Sequence, residues 1–131
     1  MFNKSKQPPI KSLIADGTQI QGNITFSEGL RVDGSIVGDV VASEGVASIL
    51  VISDSAHITG GVVADHIIVN GTVIGPICAH RMLELQPKAR IEGDVDYAAL
   101  EMHQGALITG QLRPMLGDEG KPTLKLAANN E

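Results

Sequence analysis

Chemistry in this chain would have to start from a small set of imidazole, thiol and carboxylate groups. Four histidines, His57, His66, His80 and His103, stand 9, 14 and 23 residues apart, intervals that match no common metal-ligand or general-base signature. His57 and His103 fall at corners of the repeat set out below, where an imidazole is ordinarily solvated, so neither metal binding nor catalysis is expected of them. Cys78 is a lone thiol with no histidine placed beside it by a recognisable signature. Asp94 and Asp96, two apart on one strand face, have the spacing to share a proton, but on an acidic surface such a pair reads as solvated charge. The recurring glycines carry neither the Lys of a phosphate loop nor the strand-to-helix context of a dinucleotide fingerprint. No catalytic, cofactor or metal residue is assigned, and an enzyme is not expected.

The elements that position these groups come from an internal repeat. Aliphatic, any, Gly, any, aliphatic occurs six times: Ile20 to Ile24, Ile36 to Val40, Ile58 to Val62, Val73 to Ile77, Ile91 to Val95 and Ile108 to Leu112. The central glycines are 16, 22, 15, 18 and 17 residues apart. A second motif, aliphatic, any, aliphatic, follows the first five copies as Leu30/Val32, Leu50/Ile52, Ile67/Val69, Leu83/Leu85 and Leu100/Met102. A third inward column reads Phe26, Ala42, Ala64, Ala79, Tyr97 and Pro114. Repeats at this interval indicate stacked coils in which each short strand pairs with its equivalent one coil away, so the fold expected is an all-β parallel β-solenoid of about six coils with three faces. Helix fails on period, because it would place a glycine mid-helix in every copy at about 1 kcal/mol each. The long second coil owes its length to a corner insertion around Ser43 to Ala47. Asp33-Gly34 and Asn70-Gly71 mark tight returns, where positive φ is expected.

Composition agrees. Hydrophobic residues make up 43% of the 131 positions but aromatics only 2%, so one packed domain with an aliphatic core is expected. The net charge of −5 argues against a nucleic-acid partner, which would need a basic face. No apolar run approaches the roughly 20 residues that span a bilayer, and the first thirty residues contain no signal-peptide pattern, which makes the cytoplasm the expected compartment. Acids outnumber bases twelve to five between residues 16 and 113, whereas residues 1 to 15 carry Lys4, Lys6 and Lys11 without an acid. The organisation expected is a flexible basic leader at 1–12, a β-helix domain at 13–113 and a flexible polar tail at 114–131.

The run from Ile20 to Leu112, with Gly29-Leu-Arg-Val-Asp-Gly34 and the opening Met1-Phe2-Asn3-Lys4, resembles the bactofilins, bacterial polymer-forming cytoskeletal proteins. The resemblance implies a right-handed three-faced β-helix that assembles end to end, without nucleotide, into filaments on the inner face of the cytoplasmic membrane. There they would scaffold cell-shape and cell-wall proteins. The family's membrane-targeting stretch would map onto Met1, Phe2, Lys4 and Lys6, where one ring beside two cations suits an anionic lipid surface at roughly 1 kcal/mol per Lys; filament avidity would strengthen that attachment.

Self-association also follows from the repeat. Terminal coils of a solenoid expose inward aliphatics and unpaired edges unless capped, and neither end here carries a recognisable cap. The expected contacts are Ile20, Ile24, Phe26, Leu30 and Val32 at the N-terminal end and Leu100, Met102, Ile108 and Leu112 at the C-terminal end. Termini folded over both ends would instead give a non-polymerising solenoid adaptor. In that case outward Val37, Val51, Ile68 and Ile74 would be a candidate apolar patch, though scattered exposure is the commoner reading of such residues. An acyltransferase of the left-handed hexapeptide-repeat kind is a third alternative, against which stand the unequal corner lengths.

Overall fold

In the computed structural model, which describes residues 8–115 and 123–126, each aliphatic–Gly–aliphatic copy breaks at its glycine into two short strands. The first face is built from β2 (Gln19–Gln21), β5 (Ser35–Val37), β8 (His57–Thr59), β10 (Thr72–Ile74), β12 (Arg90–Glu92) and β15 (Leu107–Thr109), in that order and all parallel. β3 (Ile24–Phe26), β6 (Val40–Ala42), the start of β9 (Val62–Val69), the start of β11 (Ile77–Leu85), β13 (Val95–Tyr97) and β16 (Leu112–Pro114) make the second. The third stacks β1 (Ile10–Ile14), β4 (Gly29–Val32), β7 (Ile49–Ile52), the ends of β9 and β11, β14 (Ala99–Met102) and β17 (Thr123–Leu126). The chain is a parallel β-solenoid of about six turns, with no helix among the described residues.

Strict register turns the repeat into core ladders. Ile20, Ile36, Ile58, Val73, Ile91 and Ile108 face one another across successive strands, and the middle four are at most 1% exposed. Each buried aliphatic contributes roughly 1.5 to 3 kcal/mol, which explains how a core with one buried Phe and one buried Tyr holds together. The third column is buried from Phe26 through Tyr97, but Pro114 is exposed because the second face stops there.

The motif glycine turns the corner between the first and second faces. Gly60 has φ of +150°, and a Cβ there would lie 2.1 Å from the carbonyl oxygen of Gly38 one coil below. Gly34 and Gly71 differ from expectation: neither has a positive φ. They are glycines because a Cβ would meet the carbonyl oxygens of Thr18 at 2.5 Å and of Ser53 at 2.2 Å, respectively.

The corner insertion expected around Ser43 to Ala47 leaves the column between β6 and β7 and is tied back by Ser48. The Ser48 amide donates to Asp65 Oδ2 at 3.2 Å, and the Asp65 amide donates to Ser48 Oγ at 2.9 Å. The returns from Ile52 to Ile58, Leu85 to Ile91 and Met102 to Ile108, two residues longer than the tight ones, share a turn closed by an alanine amide, Ala56 to Ser53, Ala89 to Gln86 and Ala106 to His103. These alanines are buried, forming a small inward column that the aliphatic motifs do not reveal.

Both flanks hold more strand than the sequence suggests. β1 begins at Ile10, inside the stretch expected to be leader, and β17 lies inside the stretch expected to be tail. Thr123-Leu-Lys-Leu126 pairs with Ala99–Met102 in register.

Candidate functional site

At the N-terminal end, β2 and β3 each pair on one side only among the described residues, β2 with β5 and β3 with β6. Ile20 and Ile24 are half-buried and pack against the core, so their remaining apolar surface faces along the axis. Phe26, by contrast, is only 8% exposed. Leu30 and Val32 lie one layer in, because β1 runs over β4 and leaves them 2% and 0% exposed. β1 itself shows Ile10 and Leu13, 47% and 58% exposed, which the repeat motifs did not single out.

The C-terminal end follows the same plan. β15 pairs only with β12 and β16 only with β13 among the described residues. Ile108 is half-buried against the core and Leu112 is 43% exposed. Leu107, outward on β15 and 58% exposed, adds apolar surface beside them. The third face continues with β17 beyond β14, leaving Leu100 1% exposed and Met102 partly buried. Of the nine expected contact residues, then, Ile20, Ile24, Ile108 and Leu112 face the open strand edges, Met102 is partly buried, and Leu30, Val32, Leu100 and Phe26 are internal to the protomer. Met1, Phe2, Lys4 and Lys6 lie outside the described residues.

The lateral surface distributes the remaining polar groups. Asp94 and Asp96 share Arg113 rather than a proton, with the guanidinium 3.5 Å from Asp94 Oδ2 and 2.8 Å from Asp96 Oδ1. Cys78 is outward and half-buried between Val63 and Asp96 in neighbouring strands. Burial, and then the charge of Asp96, pushes its thiol pKa up, away from nucleophilic use. His57 is exposed at the start of β8, and His80 meets Asp65 at 3.4 Å. Burial holds the imidazole of His66 below its ordinary pKa, against the opposing pull of Glu84 and Glu101. Val37 and Ile74 project from the first face whereas Val51 and Ile68 project from the third. The four therefore form no single patch.

A column closed along its sides by three faces of parallel strands defines the chain as a β-solenoid protein. A family model described as "Bactofilin: Polymer-forming cytoskeletal" matches residues 12–113, and the chain belongs to this family. No curated protein and no solved structure shows significant similarity to it. The family is structural and non-enzymatic, which sets the acyltransferase alternative aside, and self-association is the property its description carries. Among the described residues no helix is long and apolar enough to cross a membrane.

Proposed function

We propose that the chain polymerises end to end, without nucleotide, into filaments on the inner face of the cytoplasmic membrane that scaffold cell-shape or cell-wall proteins. One observation supports this above the others: among the described residues each face finishes, at both ends, in a strand paired on one side only, and on the first two faces those edges lie beside the partly exposed aliphatics Ile20, Ile24, Ile108 and Leu112. A second molecule would satisfy those backbone groups and bury Ile20, Ile24, Ile108 and Leu112 at roughly 1.5 to 3 kcal/mol for each side chain fully covered. β1 and β17 carry the third face one layer past the other two, and each also pairs on one side only among the described residues, so a neighbour would meet a stepped end.

Electron microscopy of purified full-length protein tests the reading. Filaments are expected for the wild type and short soluble species for Ile108→Arg or Leu112→Arg, since each places a charge in the joint. Unchanged filaments in both variants would refute the joint, and a wild-type chain that stays a single subunit at high concentration would support the adaptor instead. Membrane attachment is assigned to Met1, Phe2, Lys4 and Lys6. Deleting residues 2–6 is expected to abolish co-sedimentation with anionic liposomes, and undiminished binding would refute that assignment.

A further inference from the structure

The second motif carries a glutamate at its middle position in two successive coils, Leu83-Glu84-Leu85 and Leu100-Glu101-Met102. Parallel register sets Glu84 directly opposite Glu101 on the outer side of the third face. Neighbouring strands lie about 4.8 Å apart, and like charges directly opposite are destabilising. His103 follows two residues later at the corner, its amide donating to the Leu85 carbonyl at 2.8 Å and its own carbonyl accepting from Ala106. The three side chains thus stand on two paired strands and a hydrogen-bonded turn.

We propose that Glu84, Glu101 and His103 bind a divalent transition-metal ion of the zinc class through one imidazole nitrogen and one oxygen from each carboxylate. Their ligand atoms lie within 4.8 Å of one another. His103 Nε2 is 3.3 Å from Glu101 Oε2 and 3.7 Å from Glu84 Oε2. Tetrahedral ligands at about 2.0 to 2.2 Å from zinc are separated by about 3.3 to 3.6 Å, so a small contraction of the cluster seats the ion. An ordinary ion pair fits less well. His103 Nε2 is shielded from solvent yet aligned for a hydrogen bond with neither carboxylate, as suits a lone pair directed at a cation lying between them. Gln86 Nε2 donates to Glu84 Oε2 at 3.2 Å and orients that carboxylate from outside the ligand set. The side chains are 23% to 32% exposed, which leaves the fourth position to water. Calcium would require more oxygen ligands than the cluster offers, and an imidazole ligand suits a zinc-class ion better than magnesium. The ion would remove the repulsion between Glu84 and Glu101 and pin β11 to β14 beside the C-terminal end.

Isothermal titration of chelator-treated full-length protein with zinc chloride, in buffer free of phosphate, tests the site. One ion per chain is expected to bind. His103→Gln and Glu101→Gln should each weaken binding at least about tenfold, since loss of even an outer-shell partner costs that much. His80→Gln, which pairs with Asp65 outside the ligand set, should bind as the wild type does. Glu84→Gln takes the place of Glu101→Gln if the latter lacks the wild-type circular dichroism spectrum. No saturable binding at one ion per chain, or binding undiminished in His103→Gln, would overturn the proposal, whatever the assembly state of the protein.

Discussion

Replacing Gly60 by alanine puts the corner geometry to a direct test. The new methyl carbon would sit 2.1 Å from the Gly38 carbonyl oxygen and 2.5 Å from its carbon, well inside contact distance with atoms that are backbone and cannot rotate away. Relief requires the second and third coils to part at this corner. The bonds at risk are Gly38 amide to Thr59 carbonyl and Val40 amide to Gly61 carbonyl, both 2.9 Å. Each costs about 1 kcal/mol as a bond and about 1 to 3 kcal/mol if its groups stay buried and unpaired. Gly45 provides the control, because its φ of +88° also disfavours a side chain but nothing lies within 4 Å of an added Cβ. Both substitutions incur about 1 to 3 kcal/mol of backbone strain, and only Gly60→Ala adds the parting of coils, for an excess of about 2 to 6 kcal/mol over the two bonds. Domains of ordinary stability have about 5 to 15 kcal/mol in total, so Gly60→Ala should lose a large fraction of it. Urea unfolding followed by far-ultraviolet circular dichroism, at one fixed chain concentration, would measure the difference. If the two variants fall within about 1 kcal/mol of each other, on the scale of a single hydrogen bond, the close-approach account of the glycine column is wrong.

Two further outcomes follow from the polar contacts. Ser48→Ala deletes the acceptor of the Asp65 amide and should lower unfolding stability by about 1 to 3 kcal/mol; a change under about 0.5 kcal/mol would show that the insertion is not anchored there. His66 has a depressed pKa in the folded chain, so the unfolded chain takes up the proton first as pH falls below the ordinary imidazole value of about 6.5. Stability should therefore be complete above that pH and decline below it. His66→Gln should flatten the decline in melting temperature between pH 7.5 and 5.5, and an unaltered slope would remove His66 as its cause.

Much of the column is legible in the residues themselves because a solenoid writes each coil in the same order. The six central glycines and the Ile20-to-Ile108 ladder occupy the corner and face that spacing alone suggests. Spacing failed where the third dimension intervened. Gly34 looks like a turn glycine next to Asp33, but it is the carbonyls of Thr18 and Ala15, a coil away, that exclude a side chain. Val37 and Val51 both read as outward, yet one motif feeds the first face and the other the third, so proximity could not be inferred from polarity. Thr123 to Leu126 offers only two apolar residues after a stretch with Gly117, Gly120 and Pro122, too short an alternation to identify as a strand without β14 to receive it. The Glu84, Glu101 and His103 cluster was hidden because its members are neighbours only once coils stack, and histidine intervals along the chain do not register that.

The Ser43 to Ala47 excursion departs from one layer and re-enters at Ser48 without displacing the strands above or below: Leu30 still faces Leu50 and Leu50 still faces Ile67. Extra residues at this point alter the length of the polypeptide but not the pitch of the column. It is the natural place to splice in a fluorescent reporter or an affinity epitope, which would then project sideways once per subunit and leave both tips of the rod unencumbered.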